Sequence, residues 1–143
     1  MSDASALIRQ LMAQREQWVD VAPGKSVRFR RPLEGELDAL FSATPDGRRA
    51  FRVQLSDVCR HAIDWRGFTE EDLLGKGIGN VDPLPFDGEI FRLAVGDNLD
   101  WLQSCVTGLS DLIVSRLEAR ANARGNSSPT STQPPAPTVE SST

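Results

Sequence analysis

The chain has one histidine, two cysteines and no apolar run that approaches a membrane span. Each shortage excludes something. A structural zinc centre takes four clustered ligands. His61 is the only histidine, and Asp57 and Cys59 beside it do not complete a set. On a helix, residues two apart do not share a face, so only Asp57 and His61 are placed to meet. The same geometry leaves a Cys59–His61 nucleophile pair without its orienting third group. Spanning a bilayer takes about 20 predominantly apolar residues, which occur nowhere here. The opening Met1-Ser2-Asp3 lacks the basic and apolar regions of a secretory signal. An intracellular, reducing setting is therefore expected, with Cys59 and Cys105 as small buried hydrophobes. There is no internal repeat.

Three further patterns invite a chemical reading and do not sustain it. Gly75-Lys76-Gly77-Ile78-Gly79-Asn80 looks like a phosphate loop, but Asn80 stands where the dinucleotide fingerprint needs glycine. Gly77 stands where the Walker pattern needs Ser or Thr, and Pro83 rather than a helix follows. A flexible connection is expected. Arg28, Arg30 and Arg31 around Phe29 are a weak nucleic-acid signal in a chain of net charge −4. Glu70, Glu71 and Asp72 are consecutive, which is poor placement for an acid and a base across a substrate. No catalytic residue, cofactor or metal site is expected, and neither nucleic acid nor membrane is expected as a partner.

What is present is a set of helical and strand patterns. A chain of 143 residues is enough for one domain with a modest core. From Gly125 to Thr143 the sequence is rich in Ser, Thr and Pro, with Val139 as its one large aliphatic side chain, so 125–143 is expected to be a disordered tail behind a single domain over 1–124. Charge is uneven: residues 67–100 hold 2 Lys/Arg against 8 Asp/Glu, whereas residues 1–66 hold 11 against 9. An acidic face of this kind attracts basic protein segments.

Leu7, Ile8, Leu11 and Met12 share one face of a first helix predicted over Ser2–Glu16. A hairpin follows, with Gln17–Val21 and Ser26–Arg30 flanking Pro23-Gly24, a pair suited to a type II turn. A short helix is predicted over Leu33–Phe41 after Pro32. A third helix is predicted from an Asp46 cap to Asp64, although Phe51, Val53 and Leu55 also alternate as a strand does. Asp87 is a cap for a helix through Val95, and Asp97 for a last helix to about Ala123. That last helix carries the stripe Leu99, Leu102, Val106, Leu109, Ile113 and Leu117, widened by Trp101, Cys105 and Leu112. The fold class is therefore mainly α with a small N-terminal β-hairpin (α+β), a compact helical bundle with a disordered end.

The order of three short motifs resembles the tail assembly chaperones of long-tailed, non-contractile phages. They are the basic strand Ser26–Pro32 (SVRFRRP), the corner Asp64-Trp65-Arg66-Gly67-Phe68, and the helix start Leu84-Pro85-Phe86-Asp87-Gly88-Glu89. The likeness covers about residues 17–124. It implies a non-enzymatic protein of the host cytoplasm that binds and solubilises the tape-measure protein and is not retained in the virion. The tail tube protein and further copies of itself are its other implied partners. A phage structural component, such as a head–tail connector or minor tail protein, is the alternative. For the partner surface, the expectation is Trp101, Leu102, Cys105, Leu109 and Leu112 on the last helix together with Trp65 and Phe68.

Overall fold

The hairpin forms where the alternation places it. β1 (Glu16–Ala22) pairs antiparallel with β2 (Lys25–Arg30) around Gly24, whose φ of 77° fits the third position of the turn. Val27 and Phe29 point inward and are fully buried. This computed structural model describes residues 2–43, 45–46 and 49–127, and the expected tail from 128 onward lies outside the described residues.

Before the hairpin, α1 covers Ser2–Ala13, three residues shorter than expected. Its apolar stripe is not in the core. Leu7, Ile8 and Leu11 are 54%, 56% and 53% exposed. The periodicity was a true sign of a helix and a false sign of burial.

After Pro32, Glu34–Leu40 is a 3-10 helix that buries Leu37 and Leu40. The long third helix predicted over 46–64 is corrected to three elements, two strands and a short helix between them. β3 (Phe41–Ala43) and β4 (Arg49–Phe51) pair as a second hairpin, in which the Phe41 and Phe51 rings meet edge to face at 5.8 Å. α2 occupies only Leu55–His61. Asp57 accepts a hydrogen bond from the Gln54 backbone N–H, and so starts this helix instead of Asp46. Ala62–Arg66 then becomes β5, which pairs antiparallel with the free edge of β2 in the order β1-β2-β5. The physical reason is the edge itself: β2 exposes a row of backbone donors and acceptors, and a strand beside it satisfies them. The sheet is therefore three-stranded.

The second half is helical. α3 (Glu70–Leu74) is a short helix that carries the three consecutive acids Glu70, Glu71 and Asp72. Thr69 Oγ1 accepts from the Asp72 backbone N–H, while Asp72 Oδ2 accepts from the Thr69 N–H, a reciprocal capping box. α4 (Gly88–Gly96) starts as expected, with Asp87 Oδ1 accepting from the Glu89 and Ile90 N–H groups at 2.9 and 3.0 Å. α5 runs from Leu99 to Ser127, so the first three residues of the expected tail continue the helix. Its cap is Asn98, whose Oδ1 accepts from the Trp101 N–H, rather than Asp97. Fold class stands as expected: α+β, with helices around a small antiparallel sheet.

The chain divides into two units at Leu112/Ile113. In the first, α5 crosses β1 at Gly108. A Cβ there would collide with the Val19 side chain, so glycine sets how close the helix comes to the strand. In the second, α5 continues with Ile113 buried and Leu117 half-buried.

Candidate partner-binding surface

The three motif segments meet at one corner of the first unit. Val27 of β2 lies opposite Trp65 of β5 in the sheet register. Gly67 then turns the chain with φ 84°, under the hairpin: an added Cβ would overlap the Gly24 carbonyl oxygen. Phe68 is thereby delivered onto Trp65, with ring centroids 4.3 Å apart and planes 15° from parallel. Phe86 stands edge-on to Trp65 at 5.9 Å, and Trp101 edge-on to Phe68 at 5.2 Å. Phe86 and Phe91 are 5.6 Å apart, a hydrophobic staple across the Asp87 cap. Trp65 Nε1–H donates to the Leu84 carbonyl and Leu84 N–H donates to the Phe68 carbonyl, both at 2.8 Å. These two bonds pin the loop before α4 to the corner and satisfy the indole's one donor.

Of the seven residues expected to face a partner, Trp65, Phe68, Cys105 and Leu109 are buried. Their expected surface role is corrected: they are core residues, Trp65 and Phe68 stacked at the corner and Cys105 beside Cys59 of α2. Trp101, Leu102 and Leu112 are half-buried. The buried line of α5 in this unit passes through Cys105 and Leu109, and Leu99, which headed the predicted stripe, is exposed. Burial pushes the Cys105 thiol up to about 12, with the neighbouring Cys59 adding to it, so Cys105 is an inert core residue.

The exposed apolar surface lies elsewhere. α3, α4 and the start of α5 enclose a groove of about 360 Å³ lined by Leu73, Leu74, Ile90, Leu93, Ala94 and Trp101. Leu74 and Leu93 are 60% and 68% exposed. Asp72 and Asp97 stand on its rim with Asn98. Burial raises the Asp72 carboxyl, but hydrogen bonds from Thr69 and Lys25 outweigh it and hold the group below its ordinary range, so it carries a charge at neutral pH. Its ion pair with Lys25, at 3.2 Å, ties α3 to the turn end of β2. The sequence signal for this groove was present but unused. Leu93 follows Ile90 by three residues on α4, opposite the buried Phe91 and Val95.

The remaining candidates resolve into structure. Arg28 and Arg30 both pair with Glu16, at 2.6 and 2.7 Å, and Arg31 donates to the Pro32 carbonyl. Trp18 on the same sheet face lies under the Arg66 guanidinium at 4.2 Å. The glycine-rich loop is not a loose connection: Glu71 accepts from the Gly77 N–H at 2.7 Å and Glu70 from the Asn80 N–H at 3.0 Å. Two of the three consecutive acids, Glu70 and Glu71, are therefore anchors of that loop. His61 is half-buried at the end of α2, and burial lowers its pKa. Among the described residues no group of His, Cys, Asp and Glu is placed to hold a metal ion, and no helix is long and apolar enough to cross a membrane.

No family model, curated protein or solved structure matches this chain.

Proposed function

We propose that this protein is a tail assembly chaperone of long-tailed, non-contractile phages, which binds and solubilises the tape-measure protein in the host cytoplasm. The observation that carries the reading is the convergence of its three motif segments. The basic strand, the Asp-Trp-Arg-Gly-Phe corner and the Pro-Phe-Asp helix start are far apart in sequence, yet they meet through Val27, Trp65 and Phe86 in one aromatic core. Binding is then the work of the apolar helix surfaces around that corner. A groove with exposed leucines and a carboxylate rim suits an amphipathic helix with basic flanks, and a modest contact area permits release when tube subunits arrive. The role is non-enzymatic.

Co-expression tests it. The full chain should keep the tape-measure protein of the same phage in the soluble fraction, and Leu93→Asp, on an exposed position, should lose that effect with its circular dichroism unchanged. A tape-measure protein equally insoluble with and without the wild-type chain would overturn the proposal. Retention of the chain in purified virions would favour a connector or minor tail protein instead.

A further inference from the structure

A polar cavity of about 440 Å³ opens where the 3-10 helix runs into β3 and α2 follows β4. Arg52 and Arg60 line it, with Gln54, Ser56 and Asp57. None of these residues lines the leucine groove. We infer that this cavity is a binding site for a phosphate group, held as a dianion and carried by a small phosphate monoester or by free inorganic phosphate.

Three observations carry this. First, the two guanidiniums are uncommitted. Among the described residues neither has an ion pair or a side-chain hydrogen bond. Arg28 and Arg30 of the sheet are different, because Glu16 pairs with both. Second, the backbone fixes the two arginines from separate elements. The Arg52 N–H donates to the Leu40 carbonyl at 2.9 Å, which ties the residue after β4 to the end of the 3-10 helix. Arg60 lies four residues after Ser56 on α2, so its guanidinium and the Ser56 hydroxyl share one helix face. Only side chains are then left to order when a ligand enters. Third, the lining matches the charge and the donors that a phosphate takes. Two guanidiniums supply two planar forks of N–H donors, and the Ser56 hydroxyl and Gln54 amide add more. Asp57 is the one carboxylate in the lining. It is 8% exposed and accepts from the Gln54 backbone N–H, so it is engaged in starting α2. Two positive charges against one leave the lining net positive.

The count of charges chooses between oxyanions. A phosphate monoester carries about −1.5 to −2 at neutral pH and can meet both guanidiniums. A carboxylate or a phosphodiester carries a single negative charge and satisfies one of them. Ala39 and Phe41 form an apolar part of the wall, a surface on which an organic substituent can rest.

His61, the chain's one histidine, is a built-in reporter. Burial is the main cause that lowers its pKa; of the charges around it Glu36 raises it, Arg60 lowers it, Asp57 raises it and Arg15 lowers it. A dianion held on Arg60 offsets that guanidinium and raises the His61 pKa.

The experiment is an NMR titration of the purified full chain, with ionic strength held constant by sodium chloride. The probes are inorganic phosphate, phenyl phosphate, acetate and a short single-stranded oligonucleotide. Phosphate and its ester should bind with a Kd on the order of 1 mM, shift the amides between Arg52 and Arg60, and raise the His61 pKa. Tighter binding of the ester assigns the site to an organic phosphate, and equal binding assigns it to the free ion. Arg52→Gln and Arg60→Gln, both at exposed positions, should each weaken binding about tenfold or more with unchanged circular dichroism. A wild type unmoved by about 20 mM phosphate would overturn the inference. So would wild-type affinity in both variants, or a His61 titration that saturating phosphate leaves unmoved. Acetate binding as tightly as phosphate would mean a site for single charges, and an oligonucleotide binding more tightly than the ester would mean a nucleic-acid surface. Either result overturns it too. The inference does not rest on the chaperone reading, and the titration needs no partner.

Discussion

α1 and the first turns of α5 carry the same kind of apolar stripe and meet opposite fates. Leu7, Ile8, Leu11 and Met12 repeat at helical spacing and stand in solvent, whereas Cys105 and Leu109 repeat at the same spacing and are fully buried. The difference lies in what stands opposite. α5 has a sheet face and an aromatic corner to pack against, and Gly108 lets it approach Val19 closely. α1 joins β1 through a two-residue turn, and its apolar stripe is not covered by the described residues. An amphipathic helix shows that a face needs covering, but not which surface covers it. In α5 the cover is this chain's own core, and in α1 the stripe stays exposed.

The comparison can be broken from the buried side first. Phe68→Ala removes a fully buried ring stacked on Trp65 and should cost about 3–5 kcal/mol, measured as a lower denaturant midpoint at constant slope. A loss below about 1 kcal/mol would show that the corner is not the centre of the core. Gly108→Ala should come next, at about 1–3 kcal/mol, because it forces α5 away from Val19. Adding Val19→Ala should recover part of that loss, and simple additivity in the double-mutant cycle would refute the close approach as its cause.

On the exposed side the effects shrink. Leu11→Ala should change stability by less than about 0.5 kcal/mol in chemical denaturation of the dilute chain, since its side chain already lies in water. A cost comparable with that of Phe68→Ala would mean that α1 folds onto its own chain, and would erase the contrast. The smallest effect concerns His61. Burial lowers its pKa in the folded state below the ordinary 6.5, with Arg60 and Arg15 acting in the same direction and Glu36 and Asp57 opposing it. The unfolded chain therefore takes up more protons as pH falls through 6.5, and stability decreases on that side until the folded group titrates too. His61→Gln should flatten the stability profile between neutral pH and that lower point. An unchanged slope would place the titration elsewhere.

How much of this was legible in the sequence differs by element. The hairpin was readable because Pro23-Gly24 and the alternation of Val27 and Phe29 are local signals with local causes. The α4 start was readable for the same reason: the Asp87 cap acts within one helical turn. The segment from Asp46 to Asp64 was misread because Phe51, Val53 and Leu55 satisfy both periods, and only the partner strands decide between them. β5 exists because β2 had an edge to fill, which no window of residues around Trp65 records. The candidate surface was misread for a related reason. Trp65, Phe68, Cys105 and Leu109 are the side chains apolar enough to make a binding face, and that same property draws them into the core.

By itself the sequence determined the amphipathic faces of α1 and α5, the Pro23-Gly24 turn, the Asp87 cap, and that charge gathers between residues 67 and 100. Those properties are set by side-chain spacing and by hydrogen bonds within a few residues, so they are written along the chain. Only the tertiary structure decided which apolar faces close on one another and which remain open. Burial depends on what lies across the gap. Here that gap was filled for Trp65, Phe68 and Leu109, and left open for the α1 stripe and the groove beside Leu93.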